Sequence, residues 1–186
     1  MSRTIKVRNP RTGENDYSFD APDDGEIAAR AEKLRAAQCA WSENGIAYRV
    51  DAMLRWAAAV EAAQDRIAEA LFADTGRLTI SRSRRTGAGA KCIVGAKRHR
   101  GCWRHPKAFQ SWAPSVAFKP QYVPYPLVGV ISPWNFPLTL ALIDALPALM
   151  AGCAVMVKPS EITPRFIRPL RRRSKPCRNW RPVRHG

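Results

Sequence analysis

The sequence predicts an α/β fold, an incomplete doubly wound parallel sheet with flanking helices, and three stretches carry that prediction. Leu127 to Ile131 is a short apolar run rich in β-branched residues, the pattern of a strand buried on both faces. Residues 138–150 are apolar nearly all round and long enough for a buried helix, with Gly152 placed to stop it. Ala154 to Val157 is a second apolar run, ending at Lys158-Pro159. Strand, crossover helix and strand make a βαβ unit, whose two strands must be parallel and whose crossover is expected to be right-handed.

Taken in order, Thr4 to Arg8 alternates at period two and meets a turn signal, Asn9-Pro10-Arg11-Thr12-Gly13, with Tyr17-Ser18-Phe19 as the return strand of a hairpin. Asp23 with Glu26 three residues on forms a capping-box-like helix start, because the carboxylate can accept from the free amides of the first turn. Ile27, Ala31, Leu34, Gln38 and Trp41 follow at helical spacing. A second helix is expected from near Ile46 through Leu71 to Thr75, alanine-rich and capped by Gly76. Pro133 and Pro137 bracket a tight loop after the first core strand, since proline supplies no backbone donor to a ladder. Pro147 should kink the helix that follows.

The chain has 186 residues and a formal charge of +16, unevenly placed. Residues 1–74 hold 10 basic and 13 acidic side chains, a balance ordinary for a soluble enzyme. The excess lies in two stretches free of acidic residues, with 10 basic side chains in 75–118 and 8 in 168–186. No run of about 18 apolar residues is present and no basic-then-apolar leader opens the chain, so no membrane partner and a cytoplasmic location are expected. The five cysteines form no regular framework and are expected reduced.

In a parallel sheet, ligands bind beyond the carboxyl ends of the strands. Here those ends carry Ser132-Pro133-Trp134-Asn135 and Lys158-Pro159-Ser160-Glu161. Val-Ile-Ser-Pro-Trp-Asn-Phe-Pro followed by Lys-Pro-Ser-Glu-Ile-Thr-Pro resembles the NAD(P)-dependent aldehyde dehydrogenase superfamily in content, order and separation, and Asn-Pro-x-Thr-Gly-Glu near the N-terminus adds to it. The resemblance implies a Rossmann-like sheet and a small-molecule aldehyde oxidised to a carboxylic acid, with NAD or NADP as acceptor. It implies that Asn135 donates its side-chain amide to the oxyanion. It also implies that Lys158, Ser160 and Glu161 lie around the adenosine ribose, and that Ile131, Ser132, Pro133 and Trp134 form the wall along the dinucleotide. No metal site is implied.

The same resemblance exposes what this chain lacks. The family places its nucleophilic Cys, catalytic Glu, glycine-rich turn and oligomerisation segment beyond the Lys-Pro-Ser-Glu motif, and nothing after Glu161 matches them. The chain is therefore expected to be a truncated N-terminal part, inactive alone and without an oligomer. Residues 1–82 are assigned to the hairpin and helices of the dinucleotide-binding domain, and 114–167 to the βαβ core. The basic stretches 83–113 and 168–186 are expected to be disordered.

Three readings of those stretches compete. Lys97-Arg98-His99-Arg100 and Arg171-Arg172-Arg173 could neutralise phosphates, with Trp103 or Trp180 stacking on bases, as in a basic nucleic-acid-associated protein. Cys92, His99, Cys102 and His105 could ligate a metal, but they lack the paired spacing of zinc modules. Translation out of frame explains together the abrupt edges, the missing acids and the return of resemblance at 114. It is the favoured reading, and it leaves nucleic-acid binding non-specific.

Overall fold

A computed structural model describes residues 3–77, 109–110, 116–118 and 121–173. In chain order the elements are β1 (Arg3–Arg8), β2 (Asn15–Ala21), α1 (Asp24–Glu43), α2 (Gly45–Glu61), α3 (Gln64–Thr75), β3 (Phe109–Gln110), β4 (Ala117–Phe118), β5 (Val128–Ile131), α4 (Pro137–Ala151), β6 (Val155–Lys158) and α5 (Ile167–Arg173).

The expected hairpin forms. β1 and β2 pair antiparallel, with Ile5 opposite Phe19 and Val7 opposite Tyr17. Asn9 builds the turn, its side-chain oxygen accepting from the Arg11 amide and its carbonyl from the Gly13 amide. Gly13 sits there at φ +81°, a conformation side chains resist. Asp23 caps α1, its carboxylate accepting from the Glu26 amide at 2.9 Å.

The single helix expected from Ile46 to Thr75 is two. The ladder tightens at Ala63, whose amide reaches Val60 rather than residue 59, and α3 restarts as Ile67 bonds back to Ala63. Alanine has no tendency to break a helix, so packing sets the bend, leaving Val60, Ala63 and Ile67 all buried in one core. Gly76 ends α3 at φ +66°, as its position in the sequence implied.

β5 and β6 pair in parallel, with Val128 opposite Val155 and Ile131 opposite Lys158. α4 joins them and runs through Pro147 without interruption. The donor proline lacks would have served the Ile143 carbonyl, and Ile143 lies on the exposed side of the helix, within reach of water. Trp56 and Met53 of α2, Leu142 and Leu149 of α4, Val157 of β6 and Phe166 meet in the core.

Two expectations need correction. Strand β5 is not buried on both faces: Val130 points into the core, while Gly129 and Ile131 face outward, Ile131 at 81 % exposure. Among the described residues this sheet has two strands, and neither outer edge has a strand partner. The boundary drawn at 167/168 falls inside α5, because Phe166, Ile167 and Leu170 form one buried ridge that holds the helix against α2 and α3. Likewise 113/114 cuts between the two strands of the short β3–β4 ladder. The rest of 83–113, including the Cys92, His99, Cys102 and His105 set, and residues 174–186 lie outside the described residues.

Candidate functional site

The base of the βαβ unit is closed by side chains from outside it. Gly152 ends α4 at φ +102°, leaving last-turn carbonyls without helical partners. Side chains from α1 and α2 satisfy them: Trp41 Nε1 donates to Leu149 O at 2.8 Å, Arg49 Nε to Met150 O at 3.0 Å and Gln38 Nε2 to Gly152 O at 2.9 Å. Arg49 also donates to Ser42 O at the end of α1. A buried cation thus sits at two helix C-termini, where the dipole favours it. Cys153, beside this cluster, is buried and its thiol is pushed up by that burial, which fits an inert core cysteine.

At the opposite end the two strand termini lie side by side, the Ser132 amide donating to Lys158 O at 2.9 Å. The predicted residues therefore share one edge, and they divide by burial. Ser132 is 2 % exposed and donates its hydroxyl to Pro137 O at 3.1 Å, which closes the Pro133–Pro137 loop from beneath. Ser160 is also buried, its hydroxyl accepting from the Ile162 amide. Both serines shape the loops from within. Ile131, Pro133, Trp134, Asn135, Lys158 and Glu161 are exposed.

Asn135 is held in a defined orientation. Its Oδ1 accepts from the Phe136 amide at 3.0 Å, so the amide nitrogen points the other way, and among the described residues nothing accepts from it. Lys158 Nζ and Glu161 Oε2 are 2.9 Å apart, and that lysine holds the Glu161 carboxyl below its ordinary range. Such a pair presents a donor and an acceptor together to solvent.

Two supports were missed in the sequence. Thr163 Oγ1 donates to Trp134 O at 3.4 Å and ties the second loop to the first. Arg165 anchors the second loop to the N-terminal elements: its amide donates to Asp74 Oδ2 at 2.8 Å, and its guanidinium pairs with Asp16 and lies over the Tyr17 ring. Arg165 Nε stands 3.0 Å from Asp74 Oδ1 without the alignment of a hydrogen bond. Burial pushes Asp74 up to about 7 against the pull of Arg165, whereas Arg165 and Asn9 hold the exposed Asp16 below its ordinary range. No local signal links positions 74 and 165, which only the fold brings together. Among the described residues no group of His, Cys, Asp or Glu could hold a metal ion, and no helix is long and apolar enough to cross a membrane.

These elements define a partial doubly wound, Rossmann-like α/β domain, with an amide donor and a Lys–Glu pair gathered at the carboxyl edge of its parallel strands. The chain belongs to the aldehyde dehydrogenase family, whose family model matches residues 1–170. A Mycolicibacterium smegmatis protein bearing the name succinate-semialdehyde dehydrogenase [NADP(+)] is 35 % identical over 143 residues, which are 75 % of this chain and 27 % of that one. A solved chain named PutA, from Anabaena variabilis, is 43 % identical at a TM-score of 0.88 and is covered to 36 %, against 92 % of this chain. An NAD-dependent benzaldehyde dehydrogenase from Corynebacterium glutamicum superposes with TM-score 0.83 at 27 % identity, over 93 % of this chain and 39 % of that one. The chain spans about a third of the length of the relatives it matches.

Proposed function

We propose that this chain supplies the oxyanion donor and the dinucleotide-facing edge of an NAD(P)-dependent aldehyde oxidation, and that it does not complete that reaction alone. The observation that carries the reading is Asn135: an exposed amide whose oxygen is tied to the following backbone and whose nitrogen is left to donate. A donor fixed before the reaction stabilises charge as it develops, without reorganising, which is worth about 3–4 kcal/mol in comparable sites. The edge beside it fits a dinucleotide. Ile131 and Trp134 offer exposed apolar surface for a planar ring system, and Lys158 with Glu161 offers a donor and an acceptor to ribose hydroxyls. When bound there, NAD or NADP supplies the hydride acceptor. Ser132 and Thr163 keep the Asn135 loop in place from below and from the side.

Acyl transfer to a thiol also needs a thiolate and a base. Of the described cysteines, Cys153 is buried at the far end of the unit and Cys39 lies on the outer surface of α1, so neither stands with Asn135 at the carboxyl edge. On this reading the purified chain produces no NAD(P)H from aldehydes. Titration with NAD and NADP, followed by NMR, tests the reading. Shifts confined to Ile131, Trp134, Lys158 and Glu161 support it, and shifts at the basic segments alone would refute it. Turnover by the isolated chain that vanishes on Cys177→Ser would refute the inactivity.

A further inference from the structure

The loop after β6 is steadied through two residues close together in sequence. Thr163, 1 % exposed, donates its hydroxyl to Trp134 O at 3.4 Å and its amide to Ser160 O at 3.3 Å. Two positions on, the Arg165 amide donates to Asp74 Oδ2 at 2.8 Å. Pro164 between them has a fixed φ, so a movement of the backbone at 165 is passed on to Thr163. The Arg165 side chain is shared between two carboxylates in opposite settings. Asp16 on β2 is exposed and accepts from Nη1 and Nη2 of Arg165 and, at 2.8 Å, from Asn9 Nδ2. Asp74 on α3 has a wholly covered side chain, and its Oδ1 stands 3.0 Å from Arg165 Nε with neither atom hydrogen-bonded. An ionised Asp74 attracts the guanidinium and draws that N–H into line, whereas a neutral Asp74 leaves Arg165 to Asp16 and the Tyr17 ring.

We propose that Asp74 and Arg165 are positioning residues for the dinucleotide edge, and that ionisation of Asp74 tightens the Glu161–Arg165 loop and, through Thr163, the Trp134 side of the first loop. Burial raises Asp74 from 3.8 to about 7, which places the change of state near neutrality. The charges acting on it are Arg165 from the loop and Asp16 from β2. From the hairpin turn, Arg11 lies over the Phe72 ring two positions earlier on α3, and α5, which packs on α3, has only arginines as charged residues. No histidine falls among the described residues. Ionisation then has two effects of opposite sign. Burying the charge makes the whole fold less stable as pH rises through 7, while the local pair tightens and leaves less ordering to be done on binding. The effect on affinity rests on the proposed function, and the hold on the two loops rests on the geometry alone.

The test follows the backbone amides of the full chain by NMR from about pH 5.5 to 8.5, with NAD titrated at each end of the range. NAD is the probe because the 2′-phosphate of NADP would itself titrate there. Thr163, Arg165 and Trp134 should shift together with a midpoint near 7, and NAD should bind about fivefold tighter or more at the upper end, an ordinary coupling between two sites, even as thermal melts fall. Asp74→Asn keeps an acceptor for the Arg165 amide but carries no charge, so both responses should vanish in a chain that still folds. Asp16→Asn should retain them. Three results would each overturn the proposal: Thr163 and Trp134 shifts that do not follow Arg165, a response that survives Asp74→Asn, or NAD affinity that falls with stability as pH rises. Should NAD bind at no pH, the proposed function falls, and the amide titration still decides whether Asp74 holds the loops.

Discussion

The two ends of the βαβ unit are built on opposite principles. At the base, Trp41, Arg49 and Gln38 reach more than a hundred positions along the chain to cap the end of α4, and all three are buried. At the carboxyl edge, Asn135, Lys158 and Glu161 are exposed, and their described side-chain hydrogen bonds run to residues no more than three positions away. The difference teaches where this fold places its stability and where it leaves groups free. A donor already satisfied within the protein cannot serve a ligand, so the edge must forgo the contacts that make the base rigid.

The largest effect should come from the base. Arg49→Met leaves buried carbonyls of two helices without donors, at about 1–3 kcal/mol for each unsatisfied group. Urea denaturation at pH 7 should show a loss of about 3 kcal/mol or more, and a loss below about 1 kcal/mol would dissolve the contrast.

Next comes the anchor between the two ends. Asp74, raised from 3.8 to about 7, takes up a proton on folding between those values. Its contribution to stability is therefore full below pH 3.8 and is lost as pH rises through 7. Asp16 is lowered, so its contribution is present above 3.8 and disappears as pH falls below that value. Because the windows do not overlap, stability profiles should separate them. Asp74→Asn should flatten the decline between about pH 4 and 7, and Asp16→Asn should leave that decline in place.

Smaller effects belong to the edge. The Lys158–Glu161 pair is more than half exposed on both sides, and solvent screens such a pair. Lys158→Met should change stability by no more than about 0.5 kcal/mol while weakening NAD or NADP binding in a titration. Asn135→Ala should leave the melting temperature where it is, since the Asn135 side chain is exposed and its described hydrogen bond runs to the neighbouring amide.

How much of this was legible in the sequence follows from the range of each interaction. The hairpin turn, the Asp23 cap, the glycine stops at 76 and 152 and the strand–helix–strand unit all arise within a few residues of one another, and local pattern reveals them. The clustering of Asn135 and Lys158 at one edge was also legible, because parallel pairing dictates it. The bend at Ala63, the capping of α4 by Arg49 and the Asp74–Arg165 contact were not, because each is decided by packing between distant segments with no local mark. The exposed face of β5 was misread for a related reason. An apolar strand reports the environment its fold family provides, and the described residues provide half of it.

Hydrogen exchange of the backbone amides, read residue by residue by NMR, tests the stiff base and open edge most directly. The account predicts that Cys153, bonded to Ala148, and the core strand residue Val130, whose amide faces β6 between the bonded Val128 and Ser132, exchange orders of magnitude more slowly than Trp134 and Asn135, whose amides have no described partner. Trp134 and Asn135 protected as strongly as Val130 would contradict it.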